Sequence, residues 1–478
     1  MNILALEAST SAAKAVIYDV EKKQVLNSTD RTYGSDVGNV ATQDPEGVWQ
    51  CLQTCARELL QEEKVEIDMV APVSTWHSFL LLDEEREPVG EILTWANSEA
   101  ADYVRQFRDE NGLDAGFYRK TGCPVHGIYP LWKWMYLRET GQITLPDRVN
   151  ISSKPGYIFE QLTGEPGVSR STASGTGLLN IYSLDWDDDI LDFSRLNRGQ
   201  LAPLRELDYR APLKKSVAKK LGLNSGVPVM IPGPDGAFNQ IGSGALSGGI
   251  MTLSVGTSGA LRMAVREPLL PERPSTWCYY AGGGKRLAGA AISGAGNCVN
   301  WFKEQVNHNN SSLEELDSLA AEVIQSEAPY FLPFLYGERC PGWRDGRTGG
   351  FCGLRGNHST GQLYYAILEG ILFNLYHCYR ILVEEGESPE EINVSGGIVN
   401  SPLWLQMAAD IFSRELVVSR IKDASSLGAV AVALKAAGIL DSLADFSPAK
   451  SSIIRPGEER TGMYRERFDQ YLDWYTKT

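Results

Sequence analysis

Asp235 stands out for its surroundings. It lies in Gly233-Pro234-Asp235-Gly236, after the apolar run Val227-Pro228-Val229-Met230-Ile231 and before a stretch rich in small residues that continues to Ala245. The apolar run reads as a short buried strand, and the turn residues after it predict an exposed carboxylate at the strand's carboxyl end. Open α/β sheets place their chemistry there. The alternative is an ordinary type I turn in which Asp serves local hydrogen bonding. A second kind of chemistry is suggested by Glu7-Ala8-Ser9-Thr10-Ser11, a small-residue turn between two apolar runs. Small side chains let a ligand approach the backbone, and exposed N–H groups with the hydroxyls of Thr10 and Ser11 suit phosphate oxygens. A hairpin tip with no ligand is the plain reading of the same residues. Trp76-His77-Ser78 and Trp95-Ala96-Asn97 supply a third kind, since aromatic faces stack on the C–H surfaces of sugars while His and Asn bond hydroxyls. Core tryptophans and a structural His77 are the alternative.

The elements that must hold these residues follow from periodicity. Residues 3 to 19 predict a hairpin opening a sheet, and residues 44 to 72 an amphipathic helix followed by a strand. Ser98 to Leu113 and the segment from Pro130 read as helices, and Ser153 opens another that ends near Gly164. Ser169 to Leu179 is polar enough to predict a loop lining a cleft or a solvated linker. Met251 to Met263 then repeats the plan of the N-terminus, with Val255-Gly256-Thr257-Ser258-Gly259 in the place of Ala8 to Ala12. Such internal repetition predicts two related α/β domains facing one another, each offering a hairpin turn to one ligand. Further on, Gly289 to Asn297 is another small-residue strand and turn, and Phe331 to Arg339 an apolar strand with a charged tip. A long amphipathic helix is predicted over residues 360 to 385. The strand Glu391 to Ser395 runs into Gly396-Gly397, which can let a nucleotide lie against backbone, and Ser401 and Pro402 open the next helix.

Bulk properties exclude several classes. A chain of 478 residues exceeds one comfortable core, and 43% hydrophobic with 22% charged residues is ordinary globular composition. No apolar run reaches the ~18 residues of a membrane helix. The N-terminus carries no basic leader, which predicts a cytoplasmic protein. Eight scattered cysteines predict free thiols, and five histidines form no ligand cluster. A net charge of -15 argues against a nucleic-acid partner. No Gly-x-x-x-x-Gly-Lys-Ser/Thr element is present, so nucleotide binding would proceed without a P-loop.

Taken in order, these features resemble the FGGY family of carbohydrate kinases, which shares the duplicated ribonuclease-H-like fold of actin, hexokinase and the heat-shock chaperone ATPase. The resemblance covers essentially the whole chain. It is carried by the hairpin Glu7 to Lys14, the two tryptophan patches, the helix from Pro130 to Glu139, the Asp235 segment, Gly256-Thr257-Ser258, Leu368-Glu369-Gly370, Ser395-Gly396-Gly397 and Ser425 to Ala429. Within the family, Thr121 to His126, Thr172 to Leu178, Leu184-Asp185-Trp186 and Pro333 to Arg339 are most similar to gluconate kinases, then to pentulose kinases such as xylulokinase.

The resemblance implies two domains around a cleft, residues 1–244 with sugar site and base and residues 245–478 with the nucleotide. Asp235 would be the general base and meet the substrate with Trp76, His77, Trp95 and Asn97. Thr10, Ser11, Gly256 and Thr257 would contact phosphates, and Gly294, Gly396, Gly397 and Ser401 would surround ATP. Glu7 and Asp235 would serve Mg²⁺. Implied partners are ATP/ADP and a sugar or sugar acid, with no nucleic acid, no membrane, and a homodimer left open. Two positions depart from the family pattern: Glu7 and Ala8 replace Asp and Gly, which alters metal geometry, and Asn97-Ser98-Glu99 replaces Asp-x-Arg, which alters substrate preference. An inward Glu99 would oppose an anionic substrate. A pentulose or polyol kinase and a non-catalytic sugar- or nucleotide-binding relative are the competing expectations.

Overall fold

The computed structural model describes residues 1–111, 114–141, 149–419, 421–447 and 452–477. The apolar runs Ile3 to Leu6 and Ala15 to Ile17, buried throughout, form the expected hairpin of Asn2–Ala8 with Ala12–Asp19, and Ala8 faces Ala13 across its tip. Gln24–Thr32 extends it on one side. On the other side Asn2–Ala8 pairs in parallel with Met69–Ser74, which pairs with Pro228–Met230 and then the edge strand Arg210–Pro212.

The second half rebuilds this plan. Ile250–Val255 and Gly259–Val265 make its hairpin, Lys285–Ile292 and Trp277–Gly282 extend one side, and Glu391–Ser395, Leu416–Val418 and Ser452–Ile454 complete the other. In both sheets an antiparallel hairpin is continued by two parallel strands, so the repetition read from the sequence is a duplicated ribonuclease-H-like fold.

Helices cover the sheets, and their ends follow from local chemistry. Asp44 caps Pro45–Glu63 by accepting from Gly47 N–H at 2.6 Å, and Ser153 caps Lys154–Thr163 by accepting from Gly156 N–H at 3.2 Å. Thr360–Glu385 opens with a reciprocal cap between Ser359 and Gln362. By length and composition this helix could cross a membrane, but it is the core helix of the second domain and most of it is buried. The Leu368-Glu369-Gly370 motif on it is structural. Buried Glu369 accepts two hydrogen bonds at 2.6 Å from Arg467 of the closing helix Glu458–Lys477, and a Cβ on Gly370 would lie 2.1 Å from Phe331 O.

Four sequence expectations are corrected. The residues from Asp235 are not a turn: Gly233–Pro234 pairs with Val73 and Ser74, and Asp235 is the first residue of the helix Asp235–Gly242. Ser169 to Leu179 is neither a loop lining the cavity nor a solvated linker. It folds around the short helix Arg170–Ser174, whose Ser171, Thr172 and Ser174 are buried, with Thr172 Oγ1 hydrogen-bonded to Ser169 Oγ at 2.9 Å and Ser174 Oγ–H donating to Ser171 O at 2.7 Å. The charged tip after Phe331 folds inward, where Glu338 accepts from Arg347 and Arg344. The helix expected from Ser98 begins at Ala101 and runs to Asn111, and Leu113 lies outside the described residues.

The domains meet along two helices that cross at glycines. The Asp235–Gly242 helix packs on Ala424–Ala436, with Gly242 against Ala424 O and Gly428 against Phe238 O. A side chain at either position would meet backbone. Small residues at the crossing therefore set how close the two domains sit, and Asp235 is carried on one of the crossing helices.

Candidate active site

The first hairpin tip is held from below. Lys154, fully buried at the start of its helix, donates from Nζ to Ser9 O at 2.8 Å and to Gln43 Oε1 at 3.0 Å, and Gln43 Nε2 donates to Thr10 O at 2.5 Å. With these carbonyls engaged inside the domain, Thr10 and Ser11 face a cavity of about 570 Å³ between the domains. Burial draws the Lys154 ammonium down to about 7, against the pull of Asp235 and Glu7. Sequence reasoning assigned Lys154 no role. A faint signal existed, because a cation at a helix N-terminus opposes the helix dipole and needs another reason to be there.

The same cavity is lined by Trp95, Asn97 and Thr257, so it gathers residues from both hairpins and from the second tryptophan patch. Trp95 Nε1–H donates to Thr10 Oγ1 at 3.0 Å, which ties the aromatic face to the hairpin tip. Asn97 Oδ1 is buried without a hydrogen-bond partner among the described residues. Trp76 and His77 are not on this wall. Trp76 donates to Ser171 O at 3.0 Å and His77 Nδ1 lies 2.7 Å from Gly175 O, and both rings pack with Tyr279 of the second domain, itself stacked on Trp277 at 4.4 Å. Gly175 is needed for this arrangement, since its Cβ would reach Trp76 at 2.7 Å. These rings form a buried layer shared by the two domains behind the cavity.

Burial holds the His77 imidazole at about 3 and that of His377, which packs edge-on to Tyr475, at about 4. Both are neutral in the folded protein at pH 5 to 6. The unfolded chain takes up these protons near pH 6.5, so between pH 6.5 and about 4 it binds more protons than the native state and unfolding becomes easier as pH falls. The slope approaches about 1.4 kcal/mol per pH unit for each ring. We expect the urea midpoint to decline below pH 6.5, and His377→Phe to show a shallower decline over the same range. An unchanged slope in that variant would remove His377 from this account.

Asp235 is partly buried beside Trp76, whose ring a Cβ on Gly236 would meet at 2.7 Å. Its Oδ1 accepts from Gly236 N–H at 2.7 Å. Burial raises its carboxyl above the ordinary value, opposed by the Gly236 and Trp76 N–H groups and by the cations Arg262 and Lys154. It does not line the cavity. Burial raises Glu7 as well, and the nearby Asp235 carboxylate adds to that rise. Both Glu7 oxygens accept from Ser425 Oγ at 2.8 Å, and Oε2 accepts from Ser426 Oγ at 2.9 Å. Lys14 pairs with Asp423 at 2.6 Å alongside, so the base of the first hairpin is fastened to the start of the Ala424–Ala436 helix.

A divalent cation fits this donor set. Two neighbouring acids, both raised by burial, are relieved by a cation between them, and Mg²⁺ is usually bound through one or two carboxylates together with phosphate oxygens. Among the described residues no group of three or more His, Cys, Asp or Glu side chains would hold a metal alone, so phosphate would complete its shell.

Around the second hairpin, Gly256 N–H donates to Ser258 O at 3.0 Å, and Gly296 N–H donates to Gly256 O at 2.8 Å. Gly396 has φ of 91° and a Cβ there would lie 2.4 Å from Val255 O, with Gly397 next to it. Gly294 abuts Pro333 O, which leaves no room for a side chain. Gly256, Thr257, Gly396 and Gly397 thus form one neighbourhood. Ser401 instead caps the helix Pro402–Phe412, accepting from Trp404 N–H at 3.1 Å. Two further residues were not foreseen near the site: Arg262, on the strand face opposite Leu261 and Met263 and close to Asp235, and Arg339, on the cavity wall. Strand alternation after Gly259 was the available signal for Arg262.

Two facing sheets with matching hairpins, a cleft between them and an acid on the connecting helix define a carbohydrate-kinase architecture. The chain belongs to the FGGY family of carbohydrate kinases: the family's N-terminal domain matches residues 2–242 and its C-terminal domain residues 251–437. It is 29% identical to a gluconokinase of Bacillus subtilis (strain 168), over 97% of this chain and 93% of the relative. A xylulose kinase of Staphylococcus epidermidis (strain ATCC 12228 / FDA PCI 1200) is 26% identical over 100% of this chain and 97% of its own. The crystal structure of gluconate kinase from Lactobacillus acidophilus superposes with a TM-score of 0.94 at 28% identity, covering 100% of this chain and 98% of that one.

Proposed function

We propose that this chain transfers the γ-phosphoryl group of ATP to a hydroxyl of a sugar acid, with gluconate the leading substrate, in the cytoplasm. The observation that carries the reading is the position of Asp235: a raised carboxyl at the start of the helix that packs against the second domain, close to Glu7 of the first hairpin and behind the cavity lined by Trp95 and Asn97. Residues 1–244 supply sugar site and base, and residues 245–478 hold the nucleotide.

In this mechanism Asp235 takes the proton from the substrate hydroxyl as its oxygen attacks the γ-phosphorus and the bond to the ADP oxygen breaks. A carboxyl raised toward neutrality is a better base than an ordinary one. Thr10, Ser11, Gly256 and Thr257 hold phosphate oxygens, and Gly396 and Gly397 lie against the nucleotide. Trp95 and Asn97 place the substrate, while Trp76 and His77 back the site as a rigid layer. Glu7 and Asp235 would hold Mg²⁺, which neutralises phosphate charge when bound. Closure of the cleft excludes water, the competing acceptor.

A pentulose or polyol kinase is the second reading, supported by the unpartnered Asn97 Oδ1, which suits a neutral hydroxyl. ADP release measured with Mg-ATP across gluconate, xylulose, glycerol and simple polyols tests the proposal. We expect turnover with gluconate well above the others. Turnover confined to a pentulose transfers the assignment to the second reading. No release with any acceptor, alongside ligand-induced thermal shifts, would replace both with a non-catalytic binding protein.

A further inference from the structure

Two guanidinium groups of the second domain stand at the domain boundary, Arg339 on the cavity wall and Arg262 behind it beside Asp235. Arg262 projects from the strand Gly259–Val265, and its Nε would lie 3.6 Å from a Cβ on Gly236, the neighbour of Asp235. Arg339 lines the cavity with its Cζ 5.8 Å from the Trp95 ring. The Nε of each is buried with no hydrogen-bond partner among the described residues. The two act on one another: burial first, then Arg339, draws Arg262 below its ordinary value, with Asp235 opposing.

Asp235 acts on Arg262 and Arg339 on Asp345, yet neither acid accepts from the two Nε groups. Asp345, across from Arg339, is engaged with His126, whose Nδ1 accepts from Ile128 N–H at 3.2 Å so that Nε2–H donates to Asp345 at 2.7 Å. Lys133 is turned away, donating to Gly127 O and Ile128 O. Glu99 is exposed, so it does not introduce the repulsion an inward carboxylate would. Buried donors on two neighbouring cations call for an anion between them, and a carboxylate matches the planar fork of a guanidinium.

Two anions could arrive, the carboxylate of a sugar acid or the phosphoryl group in transfer. Arg339 lies over the aromatic face that would carry the sugar, whereas the hairpin tips offer the phosphate their own donors. We infer that Arg262 and Arg339 form the subsite for the carboxylate of an aldonic acid and set the preference of this enzyme for acids over neutral polyols. This rests on the sugar-kinase reading above and names the part of the site that selects its substrate.

The test compares D-gluconate with D-gluconamide, which differ at the carboxylate alone, on wild type, Arg262→Met, Arg339→Met and the Lys variants of both. In wild type the acid is expected to exceed the amide in kcat/KM by about 100-fold, the scale of a charge-assisted pair in a buried site. Each Met variant should lower that ratio at least about tenfold, and each Lys variant should restore part of it. Calorimetric titration of both ligands without ATP should give the same order of affinities. A ratio that persists in both Met variants while KM for ATP rises assigns the pair to phosphate and overturns the inference. Wild-type turnover of neutral acceptors with no preference for the acid overturns it while leaving the kinase reading intact. Arginine-dependent binding of gluconate with no turnover of any acceptor does the reverse.

Discussion

Replacing Asp235 by Asn is expected to lower phosphoryl transfer on the order of 10³-fold, with the fold and ATP binding retained. The substitution keeps the shape of the side chain and removes the basic oxygen. Proton abstraction by a positioned group contributes ~10²–10⁴-fold, and a neutral amide supplies none of it. Stability should hold or rise slightly, because burial raises this carboxyl and its charge in turn raises Glu7, so ionised Asp235 is a cost to the empty protein. ADP release, thermal melting and equilibrium binding of an ATP analogue separate the outcomes. Turnover within tenfold of wild type would remove Asp235 from the role of base. Collapse of the melting temperature together with activity would show that the residue holds the helix start and would leave the base to be sought elsewhere.

What the sequence made legible is what local rules determine. The hairpin at residues 3 to 19 and its echo at Met251 to Met263 are apolar runs joined by small residues, and the structure pairs them strand for strand. The helix starts at Ser153 and Ser401 are side-chain chemistry acting over a few residues, and each is in place. The features that escaped depend on partners far along the chain. Ser169 to Leu179 looks solvated by composition, yet Ser169 Oγ–H reaches Pro232 O at 2.8 Å and Ser174 Oγ receives Tyr280 N–H at 2.9 Å, and those acceptors and donors come from other elements. Asp235 was found as a residue and misplaced as a turn, since Pro-Asp-Gly has the composition of a turn and of a helix opening alike. Lys154, Arg262 and Arg339 carry no motif. Their meaning lies in what the fold sets opposite them.

Gly428→Ala is expected to cost about 1–3 kcal/mol of stability and to reduce turnover on the order of 10²-fold. The added methyl would sit 1.9 Å from Phe238 O and 2.6 Å from Phe238 C, both backbone atoms of the Asp235–Gly242 helix. No rotamer change relieves that overlap, so the two crossing helices must separate by about 1.5 Å to reach ordinary contact. Because Asp235 begins the displaced helix, the base moves with it, and positional error of that size is enough to lose a well-placed proton transfer. Fastening elsewhere opposes the movement: Glu7 to Ser425 and Ser426, and Lys14 to Asp423, hold the other end of the same crossing. Strain should therefore appear as lost stability and as misplacement together. Gly248→Ala is the control, since a Cβ there meets nothing within 4 Å. Denaturant midpoints and kcat for the two variants decide the matter. If Gly428→Ala matches Gly248→Ala in both, the glycine crossing does not set the distance between the domains.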